Sequence, residues 1–446
     1  MMNKEAGHGD IIWTMMRKEF EKLWKSEDYW AIWFAGILFS GIIVGLITAV
    51  PKVKRWAACP VDAFPGDLMF SLAGLGLGLG VLMTAGMFVM RQDWKRFFGG
   101  YLAIFALAVV SYAVAGQISI KAWGFGYAIW ALFFGLLIAN TIGTPKWLLK
   151  GAKCEMFIKT GLVLLGAEIL FSEILKLGLP GLLVAWVVTP TVILFMWYFG
   201  NQWLGMASKR LTIIIATATS VCGVSAAIAV AAACRAKKEE LTLAVGMTMI
   251  FTVIMMIVMP AFCKFIGLAP AVAGGWLGGT IDSTGAVVAA GAFLGPVAEK
   301  VAAVVKMVQN VLIGVVAFLV ALYWVTSVDR DPKAPRPSLM EIWYRFPKFI
   351  LGFAAASIIS SFVLMPIMGH EELSGVLKLS KVLRGWFFCL AFVSIGLESN
   401  FKQLADQVVG GKPIILYIAG QSFNLILTLI MAWIAFGGIL FAPFKG

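Results

Sequence analysis

What most limits the folds open to this chain is its succession of long apolar runs. They fall near 29–50, 70–90, 98–116, 127–142, 157–176, 181–200, 211–234, 241–263, 270–294, 301–325, 348–368, 386–400 and 412–440. A helix crossing a bilayer needs about 20 mostly apolar residues, and most of these runs approach that length. Ordinary soluble domains are about 45–50% apolar and about 25% charged. Here 61% of 446 residues are hydrophobic and 13% charged, more apolar surface than a soluble core could bury. The sequence therefore predicts an all-α, polytopic integral membrane protein with about 11–13 transmembrane helices. A secreted disulfide scaffold, a disordered chain and a soluble enzyme on one anchor are excluded.

Residues 1–28 alternate charge and bulk, as in Arg17, Lys18, Glu19, Glu21 and Lys22, before the first apolar run begins near Tyr29. They read as a cytoplasmic amphipathic segment leading into a retained anchor, with 29–440 forming a single transmembrane domain. The net charge of +13 is dispersed between the runs, which suits lipid headgroups and not nucleic acid. With the N-terminus inside, the loop 326–347 with Arg330, Lys333, Arg336 and Arg345 falls on the cytoplasmic side, as expected for an inner-membrane protein. The same count puts Arg235, Lys237 and Lys238 outside, a hint that the segment before them is not a plain span.

Six cysteines without a CxxC pair read as packing residues, and His8 and His370 alone offer no metal or catalytic cluster. The run GLGLGLG (74–80) lacks the GK[ST] of a phosphate-binding loop and reads as helix packing. No enzymatic constellation is expected.

Two runs are interrupted by polar and small residues: TATSVCGVSAAIA (217–229) and GGTIDSTGAVVAAG (278–291). Non-helical backbone at membrane depth survives only where protein or a water-filled cavity surrounds it, so such segments point to transport sites. Small residues also serve close helix packing, but Asp282 in one segment exceeds that need. Thr219, Ser220, Gly223 and Ser225 on the first segment, and Thr280, Ser283, Thr284 and Gly285 on the second, are candidate ligands for a small anion. They supply neutral donors and the N-terminal ends of half-helices.

Lys306 shares a helix face with Gln309 and Asn310 and would supply counter-charge; the competing reading lets it snorkel to the interface. Asp282 repels a dianion unless protonated or paired, which makes it a candidate for coupling to H⁺ or Na⁺, with Glu168 as a second. Glu173 and Glu398 read as interfacial.

Internal repetition appears twice. Segments 222–247 and 282–307 align without gaps at an offset of 60, matching Ala226 with Ala286, Glu239 with Glu299 and Met247 with Met307. Gly166, Glu168 and Phe171 recur as Gly396, Glu398 and Phe401 at an offset of 230. The second pair has opposed orientation, as in an inverted repeat, but the two interrupted segments run the same way if every run crosses once. Either one of them is re-entrant or one assigned span is wrong.

SVCGVSAAIA (220–229), GGTIDSTGAVVAAGA (278–292), AAVVKMVQNVLIG (302–314) and SIGLESNF (394–401) together resemble the YeiH-type sulfate-exporter family of bacterial inner-membrane proteins. The resemblance covers roughly residues 70–440. It implies a secondary transporter related to bile-acid/sodium symporter-like folds, with two inverted repeats and crossing broken helices. Departures from the family pattern at Ile281, Asp282, Gly285 and Glu168 imply that the ligand or coupling ion differs from that of other members.

The expected function is secondary active transport of a small inorganic or organic anion, sulfate or an organosulfonate, coupled to H⁺ or Na⁺. A passive anion channel and a non-transporting scaffold or sensor subunit stay open as alternatives. Membrane lipid is the other expected partner, a homodimer is allowed, and no cofactor beyond the coupling ion is called for.

Overall fold

The protein is described here from a computed structural model. It covers residues 21, 23–122, 126–328, 338–402, 411–442 and 444, so most of the N-terminal segment 1–28 and the middle of the loop 326–347 lie outside the described residues. In chain order the helices are α1 (Glu27–Ile43), α2 (Gly66–Val89), α3 (Trp94–Gly116), α4 (Tyr127–Thr141), α5 (Lys146–Gly151) and α6 (Cys154–Glu168). Then come α7 (Phe171–Tyr198), α8 (Lys209–Thr217), α9 (Gly223–Ala233), α10 (Lys238–Phe265), α11 (Pro270–Thr280) and α12 (Thr284–Leu294). The last are α13 (Pro296–Tyr323), α14 (Met340–Arg345), α15 (Phe349–Ile358), α16 (Met365–Glu398) and α17 (Lys412–Phe436). Among the described residues there is no strand, as expected for an all-α multi-pass membrane protein.

By its internal contacts the chain divides into two compact units. The first holds α1–α3, α5, α6, α15 and α16 as far as Ser394. Within it α1 packs on α6, and Asp28 of α1 pairs with Lys159 of α6 at 2.9 Å, which offsets the cost of that lysine. The glycines of 74–80 do pack as expected: Gly76 and Gly80 of α2 receive the rings of Phe105 and Tyr101 from α3. The second unit holds α4, α7–α14 and α17.

Among the described residues, eight helical stretches are long and apolar enough to cross a bilayer, fewer than the runs in the sequence. Pro180, which seemed to divide 157–176 from 181–200, lies inside α7; the two runs still form two helices, but α6 and α7 part at residues 169–170. Proline is tolerated in membrane helices where neighbours re-satisfy the freed backbone groups. Gly369, with a φ of 75°, breaks the 50-residue stretch Phe349–Glu398, which is one of the eight although at about 1.5 Å per residue it is too long for a single crossing of a core about 30 Å thick.

The two interrupted segments change the topology: although Lys209–Ala233 is long and apolar enough to span, neither of them crosses. Arm α8 descends beside α7, with Thr212 against Gly200 near the end of α7 and the Ser220 carbonyl accepting from Thr189 farther back along it. At Ala218–Cys222 the helix widens into a π-turn, Gly223 takes φ 25° and ψ −107°, and α9 returns. Val221 meets Lys306 of α13, whereas Ala229 farther along α9 accepts from Arg345 of α14, beside the Gly314 level of α13. The two ends are tied together: Ser208 donates to Glu240, and Glu240 accepts from the Lys237 amide at 2.9 Å.

The second segment makes the same turn from the opposite face. Arm α11 runs parallel to α13, Gly274 meeting Ala298 and Gly278 meeting Ala302, and the Gly279 carbonyl reaches Gln309. Past the non-helical residues 281–283, α12 returns antiparallel, from Thr284 at Asn310 to Gly291 at Ala298. Ala298 thus touches both arms. Each arm of α11–α12 has 11 residues, about 16 Å, roughly half the hydrocarbon core. The crossing broken helices implied by the family resemblance are therefore two opposed re-entrant hairpins.

Removing two crossings also resolves the charge anomaly. Arg235, Lys237 and Lys238 return to the face of Lys209 and Arg210, while the loop 326–347 keeps its side because the two changes cancel.

Candidate functional site

The hairpin tips meet. A Cβ on Gly223 would lie 2.7 Å from Thr248 Cγ2 and 3.6 Å from Asp282 Cβ, so only glycine allows both this turn and this approach. Cys222 Sγ stands 3.6 Å from Thr284 Oγ1. Both tips are almost wholly buried, and their free backbone groups are met by side chains from two flanking helices.

The first is α13. Lys306 Nζ donates to the Val221 carbonyl at 2.5 Å and to Gln309 Oε1 at 2.7 Å. Gln309 Nε2 in turn reaches the Ser220 carbonyl (2.9 Å), the Gly279 carbonyl (3.2 Å) and Thr189 Oγ1 (3.2 Å), so one amide holds both tips. Asn310 Nδ2 donates to Thr284 Oγ1 at 3.0 Å. Lys306 is 1% exposed and directed inward, which excludes the snorkelling alternative.

The second is α17, which sequence reading passed over. Tyr417, Gln421, Asn424 and Thr428 recur at spacings of four, three and four, a polar stripe on an otherwise apolar helix. That periodicity was the available signal. Tyr417 donates to Asp282 Oδ2, Gln421 Nε2 to the Thr280 carbonyl (3.2 Å), Asn424 Nδ2 to the Thr219 carbonyl (3.3 Å), and Thr428 to Asn424 Oδ1 (2.8 Å).

Of the expected ligands, Thr219, Ser220, Gly223, Thr280, Asp282, Thr284, Gly285, Lys306 and Asn310 are buried around the tips. The hydroxyls of Thr219 and Ser220 turn back onto the carbonyls of Ile215 and Ala216, so it is their main-chain carbonyls that face the site. Ser225 is exposed on α9, and Ser283, at the start of α12, is half-buried without capping its own helix. Glu168 is elsewhere. It belongs to the first unit and takes a two-pronged pair from Arg384, Nε to Oε1 at 2.8 Å and Nη2 to Oε2 at 3.1 Å. Glu173 pairs with Lys300 at 3.3 Å, and Glu398 is exposed.

Because the hairpins do not cross, the offset of 60 acquires a meaning. Each repeat is a re-entrant hairpin followed by a full crossing, α8–α9 with α10 and α11–α12 with α13, and α10 and α13 run in opposite directions. The relation is an inverted duplication. It places Gly246, Met249 and Ile250 on α10 where α13 has Lys306, Gln309 and Asn310.

Residues 99–417 match the family described as Conserved hypothetical protein 698. A UPF0324 membrane protein of Rhodopirellula baltica is 53% identical over 391 residues, covering 86% of this chain and 71% of the relative. Another UPF0324 membrane protein, from Nitratidesulfovibrio vulgaris, is 53% identical over 380 residues, 83% of this chain and 65% of its own length. The chain thus spans just under two thirds of that relative. One from Nitrosomonas europaea is 30% identical and is covered over 99% of its length. No solved structure matches the chain. The resemblance carried by the motifs at 220–229, 278–292, 302–314 and 394–401 is borne out.

Proposed function

The chain belongs to the UPF0324 family of membrane proteins, and from that premise we propose that it is a secondary transporter of a small anion, sulfate or an organosulfonate, in the bacterial inner membrane. The observation that carries this reading is the meeting of two opposed hairpin tips beside a buried lysine. At such a meeting the N-terminal ends of α9 and α12 bring unpaired amides and positive dipole ends to mid-membrane, as discontinuous helices do at transporter sites. Ser225, exposed on α9, and the half-buried Ser283 at the start of α12 add hydroxyls, and Lys306 supplies the net positive charge. Lipid fills the surroundings, and the basic face with Lys209, Arg235 and Lys237 is cytoplasmic by the positive-inside rule.

Coupling to H⁺ or Na⁺ falls to Asp282, since Glu168 is already neutralised by Arg384. Flux of labelled sulfate and of taurine-like sulfonates into proteoliposomes tests the proposal. Saturable uptake that follows an imposed H⁺ or Na⁺ gradient is expected. Currents far above carrier turnover with no gradient dependence would indicate a channel, and absence of flux with every anion would leave a scaffold or sensor subunit.

A further inference from the structure

Four side-chain oxygens at the second tip are buried without a hydrogen-bond partner among the described residues: Thr280 Oγ1, Asp282 Oδ1, Asn310 Oδ1 and Gln421 Oε1. Their residues are 1%, 1%, 1% and 5% exposed. Three of the four can only accept, apart from a protonated carboxyl, and folded proteins leave few such groups unpaired. All four lie within one hydrogen bond of the stretch Thr280–Thr284. Two belong to it, Gln421 donates to the Thr280 carbonyl at 3.2 Å, and Asn310 donates to Thr284 Oγ1 at 3.0 Å.

Donors nearby are committed elsewhere. Tyr417 is spent on the other oxygen of Asp282, and Lys306 on Val221 and Gln309, so the carboxylate makes no ion pair with the lysine among the described residues. The C-terminal end of α11 adds the negative end of a half-helix dipole at the same place.

We infer that this cluster is a binding site for an alkali-metal cation, held by Asp282 with the oxygens of Thr280, Asn310 and Gln421. Hard cations take oxygen ligands, and one carboxylate among neutral oxygens matches a single positive charge. Thr280 and Asn310 thereby serve the cation, and the anion is left to the N-terminal ends of α9 and α12. This deepens the coupling part of the proposed function and rests on it only for its role, not for the binding itself.

The test is equilibrium binding of radioactive sodium, and of rubidium as a stand-in for potassium, to the purified full chain in detergent, at constant ionic strength maintained with choline chloride. Saturable binding of one of them, displaced by unlabelled Na⁺ or K⁺ but not by choline, is expected. Asp282→Asn and Gln421→Ala should weaken it at least tenfold, while Ser71→Ala in the first unit leaves it unchanged. Should Asp282→Asn fail to fold, Thr280→Val and Gln421→Leu, with thermal unfolding measured alongside, read the same site. Binding of neither ion by folded wild type overturns the site and leaves its oxygens to buried water, and so does unaltered binding in folded tip variants. Cation binding without anion flux would overturn the transport reading alone; flux without cation binding would overturn this inference alone.

Discussion

Lys306 donates its ammonium to the main-chain carbonyl of Val221 at 2.5 Å, so a charge on a crossing helix is spent on the turn of a hairpin that does not cross. A buried ammonium is costly at membrane depth, and this bond together with Gln309 Oε1 offsets part of that cost. Lys306→Met keeps the bulk but leaves the Val221 carbonyl and Gln309 Oε1 without their donor. Stability in detergent should fall by about 1–3 kcal/mol, read as a lower midpoint of thermal unfolding. Labelled-anion flux should fall at least tenfold, and wild-type flux in this variant would remove Lys306 from the site.

Gly223→Ala tests the contact between the tips. The added methyl meets Thr248 at 2.7 Å on a backbone whose φ of 25° is strained for any other residue, and a cost of about 1–3 kcal/mol is expected. Gly74→Ala is the control. Nothing lies within 4 Å of its Cβ position and its backbone is helical, so the melting midpoint should hold or rise slightly.

Re-entrant topology predicts which residues share a face. In a cysteine-free background, Lys209→Cys and Lys237→Cys, flanking the first hairpin, should react with an impermeant thiol reagent from one face. Ala269→Cys and Pro296→Cys, flanking the second, should react from the other; all four positions are exposed. Labelling of Lys209→Cys and Lys237→Cys from opposite faces would mean that the segment crosses after all.

The Arg384–Glu168 pair predicts strong non-additivity. Either Arg384→Met or Glu168→Leu alone leaves an uncompensated buried charge and should cost about 3–5 kcal/mol, whereas the double replacement should recover most of it. A double-mutant cycle on thermal stability checks this. Additive losses would mean that the two side chains do not depend on each other.

The apolar runs made the all-α membrane class legible, because hydrocarbon tolerates few other backbones. Interrupted composition located both tips to within a few residues. Whether a segment crosses or returns was not legible, since 11 apolar residues before a polar turn read alike in either case; only the shared levels of Ala298, Ser208 and Glu240 decide it. The misplaced cluster Arg235, Lys237 and Lys238 was the trace of that error in the sequence itself. Residue types at the tips were found, but hydroxyl direction was not, because Thr219 and Ser220 could as well have faced a ligand as their own helix. The stripe Tyr417, Gln421, Asn424 and Thr428 was visible by period and escaped notice because it carries no formal charge.

An inverted duplication with matching halves is a palindrome: turned over in the bilayer it is the same object, and a solute arriving from either side climbs the same barriers. This chain keeps the palindrome in its backbone and abandons it in its side chains. Where one half has Lys306, Gln309 and Asn310, the other has Gly246, Met249 and Ile250. States exchanged by the pseudo-dyad therefore cannot be equal in energy, and the forward and return strokes of any cycle built on them must differ in rate. At equilibrium no net movement follows from this. The imbalance governs tempo, and the imposed gradients alone govern direction.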